Sequence, residues 1–207
     1  AYKAAAMLME EFKLPGGVRI VLNKHIPVAA GMAGGSSNAA AVLFGMNKMF
    51  RLGLSQRSLM ERGVRLGADV PYCIMRGTVL AEGIGEELTT LPALPACTVL
   101  IAKPPISVST KVVYEARGLE TGSLSEIAAH MGNVLEDVTI GMYPVIEKIK
   151  DEMKKAGALN AMMSGSGPTV FGIFESRAAA RRAQEQIRRK ALAKQVYVTN
   201  VHGARRT

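Results

Sequence analysis

The sequence predicts an α+β fold built in two parts. Segments with helical spacing and segments with strand spacing are mixed without the strict alternation that a parallel sheet requires. A break in composition at Pro92 and Pro95 interrupts them. With 207 residues, 48% of them hydrophobic, the chain can supply a core to each part. We draw the boundary at that break, giving parts 1–94 and 95–207. No repeat period and no low-complexity tract argues for another architecture.

The elements follow in order. The opening, Ala1-Tyr2-Lys3-Ala4-Ala5-Ala6-Met7-Leu8-Met9-Glu10-Glu11-Phe12, has helical spacing without a cap before it. Pro15-Gly16-Gly17 makes a turn, and the alternation in Val18-Arg19-Ile20-Val21-Leu22 predicts a strand. A small-residue loop then runs into an apolar helix over residues 39–50, with Ser36 or Ser37 as its cap. Ser55 begins a further helix, with Ser58 and Glu61 as a capping box one turn in and Gly67 as its stop. Residues 78–82 and 98–102 read as strands, and Gly83-Ile84-Gly85-Glu86 as a turn that accounts for Glu86. Ser109 can cap a helix through Val112, Val113 and Tyr114. Pro144 starts a helix reaching Ala156, with Lys148, Lys150, Lys154 and Lys155 towards its end and Gly157 after it, as the dipole and cap rules expect. A basic helix with the apolar stripe Ala180, Ala183, Ile187 and Ala191 precedes a final strand at 195–201.

Composition narrows the function classes. No apolar run approaches the ~20 residues of a membrane span, and no signal-peptide pattern opens the chain, so a cytoplasmic protein without a membrane partner is expected. Cys73 and Cys97 form no CxxC pair, and His25, His130 and His202 have no companions at metal-site intervals, so no protein metal site is expected. The formal charge of +9 suits anionic partners. Much of it lies on the basic helix, where Arg177, Arg181, Arg182, Arg188, Arg189 and Lys190 read as a solvated face. No aromatic residues interleave with those cations, so a nucleic-acid partner is not expected. No feature fixes an oligomeric state.

Three loops carry the chemistry. The first is Pro27-Val28-Ala29-Ala30-Gly31-Met32-Ala33-Gly34-Gly35-Ser36-Ser37-Asn38. Its glycines permit close backbone approach, and the bare N–H groups of the following helix start would face an anion. It lacks the Gly-Lys-Ser/Thr ending of a P-loop and the Gly-x-Gly-x-x-Gly spacing of a dinucleotide fold. From the residues alone it is either a phosphate cradle or a close-packed strand-to-helix turn. The second is Gly67-Ala68-Asp69-Val70-Pro71, where Asp69 reads either as an N-cap with proline in the opening turn or as a catalytic carboxylate. The third, Met162-Met163-Ser164-Gly165-Ser166-Gly167-Pro168-Thr169-Val170-Phe171, is either a tight connection between apolar strands or a wall of a site.

Together the three loops resemble the ordered motifs of the small-metabolite kinase superfamily that includes galactokinase, homoserine kinase and mevalonate kinase. Lys24-x-Ile26-Pro27 and the Gly-Ala-Asp-Val-Pro form around Asp69 are similar to the branch whose acceptor is 4-diphosphocytidyl-2-C-methyl-D-erythritol; homoserine kinases do not carry the latter form. The resemblance implies a ribosomal-protein-S5-like N-terminal domain, here lacking its first strands, and a ferredoxin-like C-terminal domain. It implies phosphorylation of the acceptor's 2-hydroxyl by ATP accompanied by magnesium. Lys24 and the loop residues from Pro27 to Ser37 would bind ATP; Asp69 would be the acid/base group. Asp69, Ser164, Gly165, Ser166, Gly167 and Phe171 would face the acceptor, although Phe171 reads equally as a core aromatic. Asn133-Val134-Leu135-Glu136 resembles a family Asn-Asp-Leu-Glu stretch in which valine here replaces the aspartate. A family lysine in a Lys-x-Asn setting lies outside these 207 residues, so the residues by themselves are expected to be inactive. The rival readings are another small-alcohol kinase of the superfamily, or a non-catalytic nucleotide- or nucleic-acid-binding protein on that scaffold.

Overall fold

The computed structural model describes residues 1–106 and 123–201. The helix expected after Ser109, and His202, lie outside the described residues. The chain divides into two compact units: one holds residues 1–28 and 33–91, the other residues 29–32 and 92–203.

The first unit contains α1 (Tyr2–Glu11), α2 (Gly34–Met49), α3 (Gln56–Val64), α4 (Val70–Met75) and the antiparallel hairpin β1 (Val79–Glu82) with β2 (Glu87–Thr90). Ala4, Ala5, Leu8, Ala39, Ala40, Leu43, Met46, Leu59, Val70 and Ile74 form its core. Ala4, Ala5 and Leu8 of α1 are buried in one cluster with Ala39, Ala40 and Leu43 of α2. Ser55 caps α3 by accepting from the Ser58 N–H at 3.1 Å. Ser58 therefore makes no displaced capping box; its hydroxyl instead accepts from Arg62 at 3.0 Å. Nor does Gly67 terminate α3 directly, since that helix ends at Val64. The Glu86 carboxylate accepts from the Ile84 N–H at 2.7 Å and closes the hairpin turn, a local role.

Residues 18–22 form no strand. The alternation holds from Val18 to Val21, with Val18 and Ile20 packed on the core and Val21 outside, and breaks at Leu22, which is also exposed. What is missing among the described residues is a neighbouring strand, and an extended segment without a partner has no ladder of hydrogen bonds. The sheet expected of an S5-like domain is therefore represented here by β1 and β2.

Glu11 on α1 and Arg62 on α3 form an ion pair, with Arg62 also 5.7 Å from the centre of the Phe12 ring. The hydrogen bond from Arg62 holds the Glu11 carboxyl below the usual carboxylate range, against a smaller opposing effect of burial. A depressed carboxyl pKa contributes stability that is complete above the unfolded value and vanishes as pH falls through the folded one. The stability gap between the parent and Glu11→Gln should therefore close as pH is lowered from 6 towards 3; a gap independent of pH in urea titrations would contradict this.

The second unit contains β3 (Thr98–Lys103), α5 (Leu124–Ala129), α6 (Glu136–Met142), α7 (Val145–Lys155), β4 (Asn160–Met163), β5 (Val170–Phe174), α8 (Arg177–Arg189) and β6 (Gln195–Asn200). Its antiparallel sheet has the order β4-β5-β3-β6. With α7 between the first two strands in sequence and α8 between the last two, this is the ferredoxin-like arrangement. Alternation on β3 sends Thr98, Leu100 and Ala102 inwards. Leu100 and Ala102 join Phe174 of β5, Ile146, Ile149 and Met153 of α7, and Ala180, Ala183 and Ile187 of α8 in the core. Ala179 joins this stripe on α8, whereas Ala191 lies past the helix end and is exposed.

Two features of the charged helices differ from the sequence reading. Only Lys154 and Lys155 lie in the last turn of α7; Lys150 is buried and paired with Glu136 at 2.6 Å. On α8, Arg188 donates to the Val196 carbonyl at 2.9 Å, and Lys190, just past the helix, meets buried Glu152 at 2.8 Å. Part of the basic run thus ties this unit together. Among the described residues no helix is long and apolar enough to cross a membrane.

Candidate active site

Helix α2 starts earlier than expected, and its N-cap is Ala33 in a left-handed conformation, φ 46°. Neither Ser36 nor Ser37 caps it, because the glycines allow the helix to begin one turn sooner. The first intrahelical bond runs from the Ser37 N–H to the Ala33 carbonyl at 2.8 Å. The N–H groups of Gly34, Gly35 and Ser36 precede it and have no partner within the helix. The first turn contains no acidic side chain to offset the positive end of the dipole.

Lys24 increases that positive charge. Its Nζ lies 2.7 Å from where a Cβ on Gly34 would stand, and Ile26 Cγ2 lies 2.8 Å from the same point. Gly34 is thus required for close packing of the Lys24-x-Ile26 segment on the helix start. Among the described residues the exposed Lys24 has no carboxylate partner. An unpaired ammonium beside the positive end of a helix is unfavourable unless an anion joins them.

The second loop lies beside this helix start. A Cβ on Gly67 would stand 3.9 Å from Ser36 Oγ. A cavity of about 490 Å³ in the same unit is lined by Tyr2, Lys3, Gly35, Ser36, Leu66 and Val70, among others. Asp69 occupies the N-cap position of α4, with Pro71 in the opening turn, yet its side chain caps nothing. The carboxylate is exposed and has no hydrogen bond or ion pair among the described residues. The helix-cap reading of Asp69 therefore explains its backbone and leaves its carboxylate available. Burial first, and the nearby Asp69 charge second, push the Cys73 thiol up, so Cys73 stays protonated beside it.

In the second unit, Gly31 meets the third loop. Ser164 Oγ donates to the Gly31 carbonyl at 2.8 Å. Gly31 has φ +67°, and a Cβ there would stand 2.3 Å from the Ser164 carbonyl oxygen and 3.1 Å from that of Gly167. No other residue fits without separating the two loops. Gly165 and Gly167 also have positive φ, and the Gly167-Pro168 bond is cis. Ser166 is 6% exposed, and its hydroxyl is enclosed without a partner among the described residues. Phe171 is half-buried between Met162 and Ile101 on neighbouring strands, on the sheet face opposite Val170. Residues singled out in the first two loops are thus brought together in one unit, and Gly31 and the third loop in the other. Sequence reasoning missed Asn133 and Glu136, whose side chains grip the third loop; the signal was the Asn-x-Leu-Glu stretch itself.

The two-unit α+β fold with a ferredoxin-like second unit is that of a metabolite kinase, and comparison with known proteins shows the same class. The profile of the GHMP kinases N terminal domain matches residues 1–77, and that of the GHMP kinases C terminal region matches residues 116–194. A 4-diphosphocytidyl-2-C-methyl-D-erythritol kinase of Lachnospira eligens is 54% identical over 96% of this chain and 74% of its own length. The crystal structure of a 4-(cytidine 5'-diphospho)-2C-methyl-D-erythritol kinase superposes with a TM-score of 0.79 at 33% identity, covering 98% of this chain and 78% of that one. A homoserine kinase from Cytophaga hutchinsonii, with a TM-score of 0.73 over 97% of this chain and 74% of its own, is 18% identical and shares the fold. The chain belongs to the GHMP kinases and, within them, to the 4-diphosphocytidyl-2-C-methyl-D-erythritol kinase family.

Proposed function

We propose that the protein transfers the γ-phosphoryl group of ATP to the 2-hydroxyl of 4-diphosphocytidyl-2-C-methyl-D-erythritol, a cytoplasmic step of non-mevalonate isoprenoid synthesis. The observation that carries the reading is the unneutralised start of α2, where three bare N–H groups and Lys24 converge within reach of the free Asp69 loop. Residues of the loop from Pro27 to Ser37 hold the triphosphate through backbone donors and the dipole. These groups act most strongly as negative charge spreads over the transferred phosphoryl oxygens. Asp69 accepts the acceptor hydroxyl's proton while the new O–P bond forms and the bond to the β–γ bridging oxygen breaks, releasing ADP.

Magnesium bound with ATP would neutralise phosphate charge. Such ions are held largely by phosphate oxygens and one or two protein oxygens. Among the described residues no cluster of three His, Cys, Asp or Glu side chains offers an all-protein cage. The hydroxyls of Ser36 and Ser37, in the first turn of α2, fit the smaller role.

The test is transfer of labelled phosphate from ATP by the full-length protein, with the cytidyl acceptor, homoserine and mevalonate side by side. Transfer to the cytidyl acceptor at the highest kcat/KM is expected. Equal or faster transfer to another alcohol would overturn the acceptor assignment.

A further inference from the structure

The third loop is closed by two hydrogen bonds of its own, from the Gly167 N–H to the Ser164 carbonyl at 2.9 Å and from the Ser164 N–H to the Thr169 carbonyl at 2.8 Å, but these leave Met163 and the Gly165 carbonyl to be held by other groups. It contains two left-handed glycines, Gly165 at φ 56° and Gly167 at φ 82°. The hydroxyls of Ser166 and Thr169 are enclosed without a partner among the described residues, and Ser164 spends its hydroxyl on Gly31. A further grip comes from thirty residues earlier. Asn133 Nδ2 donates to the Met163 carbonyl at 2.9 Å and to the Gly165 carbonyl at 2.7 Å, while Asn133 Oδ1 accepts from the Leu135 N–H at 3.0 Å. Glu136 Oε1 accepts from the Met163 N–H at 2.5 Å, and Glu136 Oε2 takes Lys150 Nζ at 2.6 Å. Both main-chain groups of Met163 are therefore held by side chains from the entry to α6.

This clamp is chemically specific. Only an amide presents two donors and an acceptor from one short side chain; aspartate has no donor and glutamine is one methylene longer. Glu136 is held in turn by Lys150, whose side chain is 10% exposed. Burial opposes charge on Lys150, but the hydrogen bond and charge of Glu136, with help from Glu147, raise its pKa overall, so the ammonium persists. A buried polar network satisfied in this way fixes one geometry.

We propose that Asn133 and Glu136 are positioning residues for ATP binding: they fix Met163 and Gly165, which place Ser164 Oγ on the Gly31 carbonyl and so set the shape of the phosphate loop. This rests on the phosphate-cradle reading above. The clamp acts on ATP affinity, through Ser164, and not on the proton transfer assigned to Asp69.

The test is a double-mutant cycle in the full-length protein, read as the Kd of a non-hydrolysable ATP analogue, with kcat and KM for ATP alongside. Asn133→Ala and Ser164→Ala should each weaken analogue binding roughly tenfold, and the double variant should be no weaker than about the worse single one, because the two act in series. The rise in KM for ATP should exceed the fall in kcat. Glu136→Gln, which keeps an acceptor for the Met163 N–H, should restore most of the affinity that Glu136→Ala loses. Where Asn133→Ala does not fold, Asn133→Ser enters the cycle in its place. A folded Asn133 variant with parent-like Kd, or losses that simply multiply with Ser164→Ala, would overturn the clamp. If the cradle reading itself is at fault, Lys24→Ala will also leave analogue affinity unaltered; if only the clamp is at fault, Lys24→Ala will weaken it.

Discussion

Replacing Asp69 by asparagine should lower kcat of the full-length protein by roughly 100- to 10,000-fold, the usual contribution of a positioned general base. With Asp69 meeting the acceptor and not the nucleotide, as proposed, the Kd for ATP should stay within about twofold. The substitution is nearly isosteric and the carboxylate is exposed, caps no helix and pairs with no cation among the described residues, so folding should be spared. Loss of turnover without loss of Tm would separate this role from a structural one. Steady-state kinetics and a melting curve decide it; turnover within fivefold of the parent would remove Asp69 from the mechanism.

The second large effect is steric. Gly31→Ala would place a Cβ 2.3 Å from the Ser164 carbonyl oxygen at φ +67°, against two backbone oxygens that cannot rotate away. The left-handed conformation alone disfavours an L-residue by about 1–2 kcal/mol, and the overlap forces the loops apart besides. If the loop is the ATP cradle, affinity for the nucleotide should fall at least about tenfold, each factor of ten being ~1.4 kcal/mol. Isothermal titration with an ATP analogue measures it. Ile84, 70% exposed and outside the three loops, serves as the control, and Ile84→Ala should leave affinity almost unaltered. Equal affinities for the parent and the Gly31 variant would separate the shape of this loop from nucleotide binding.

Local chemistry was legible where a residue settles its own backbone. Ser55 caps α3, Pro144 starts α7 and alternation buries one face of β3, because each feature depends on neighbours in sequence. The glycines of the first loop could be read as permitting close approach; which atoms approach could not. That Lys24 and Ile26 lie against Gly34, and the Ser164 and Gly167 backbones against Gly31, is long-range geometry. The same limit explains residues 18–22, whose alternation as far as Val21 is correct for a strand although the ladder requires a second segment alongside. It also explains Lys150, which helix-dipole logic places near a helix end and tertiary structure buries on Glu136.

The sequence by itself determined the two-part α+β organisation and marked the three loops, since small residues before a helix start and an aspartate two residues before a proline express their backbone chemistry locally. Tertiary structure alone decided that the Asp69 carboxylate is unengaged among the described residues, that Lys24 lies against Gly34 at the start of α2, and that Asn133 and Glu136 grip a loop thirty residues away. Those facts depend on which groups meet across the fold, and hydrogen bonds and charges take their meaning from the partners packing supplies.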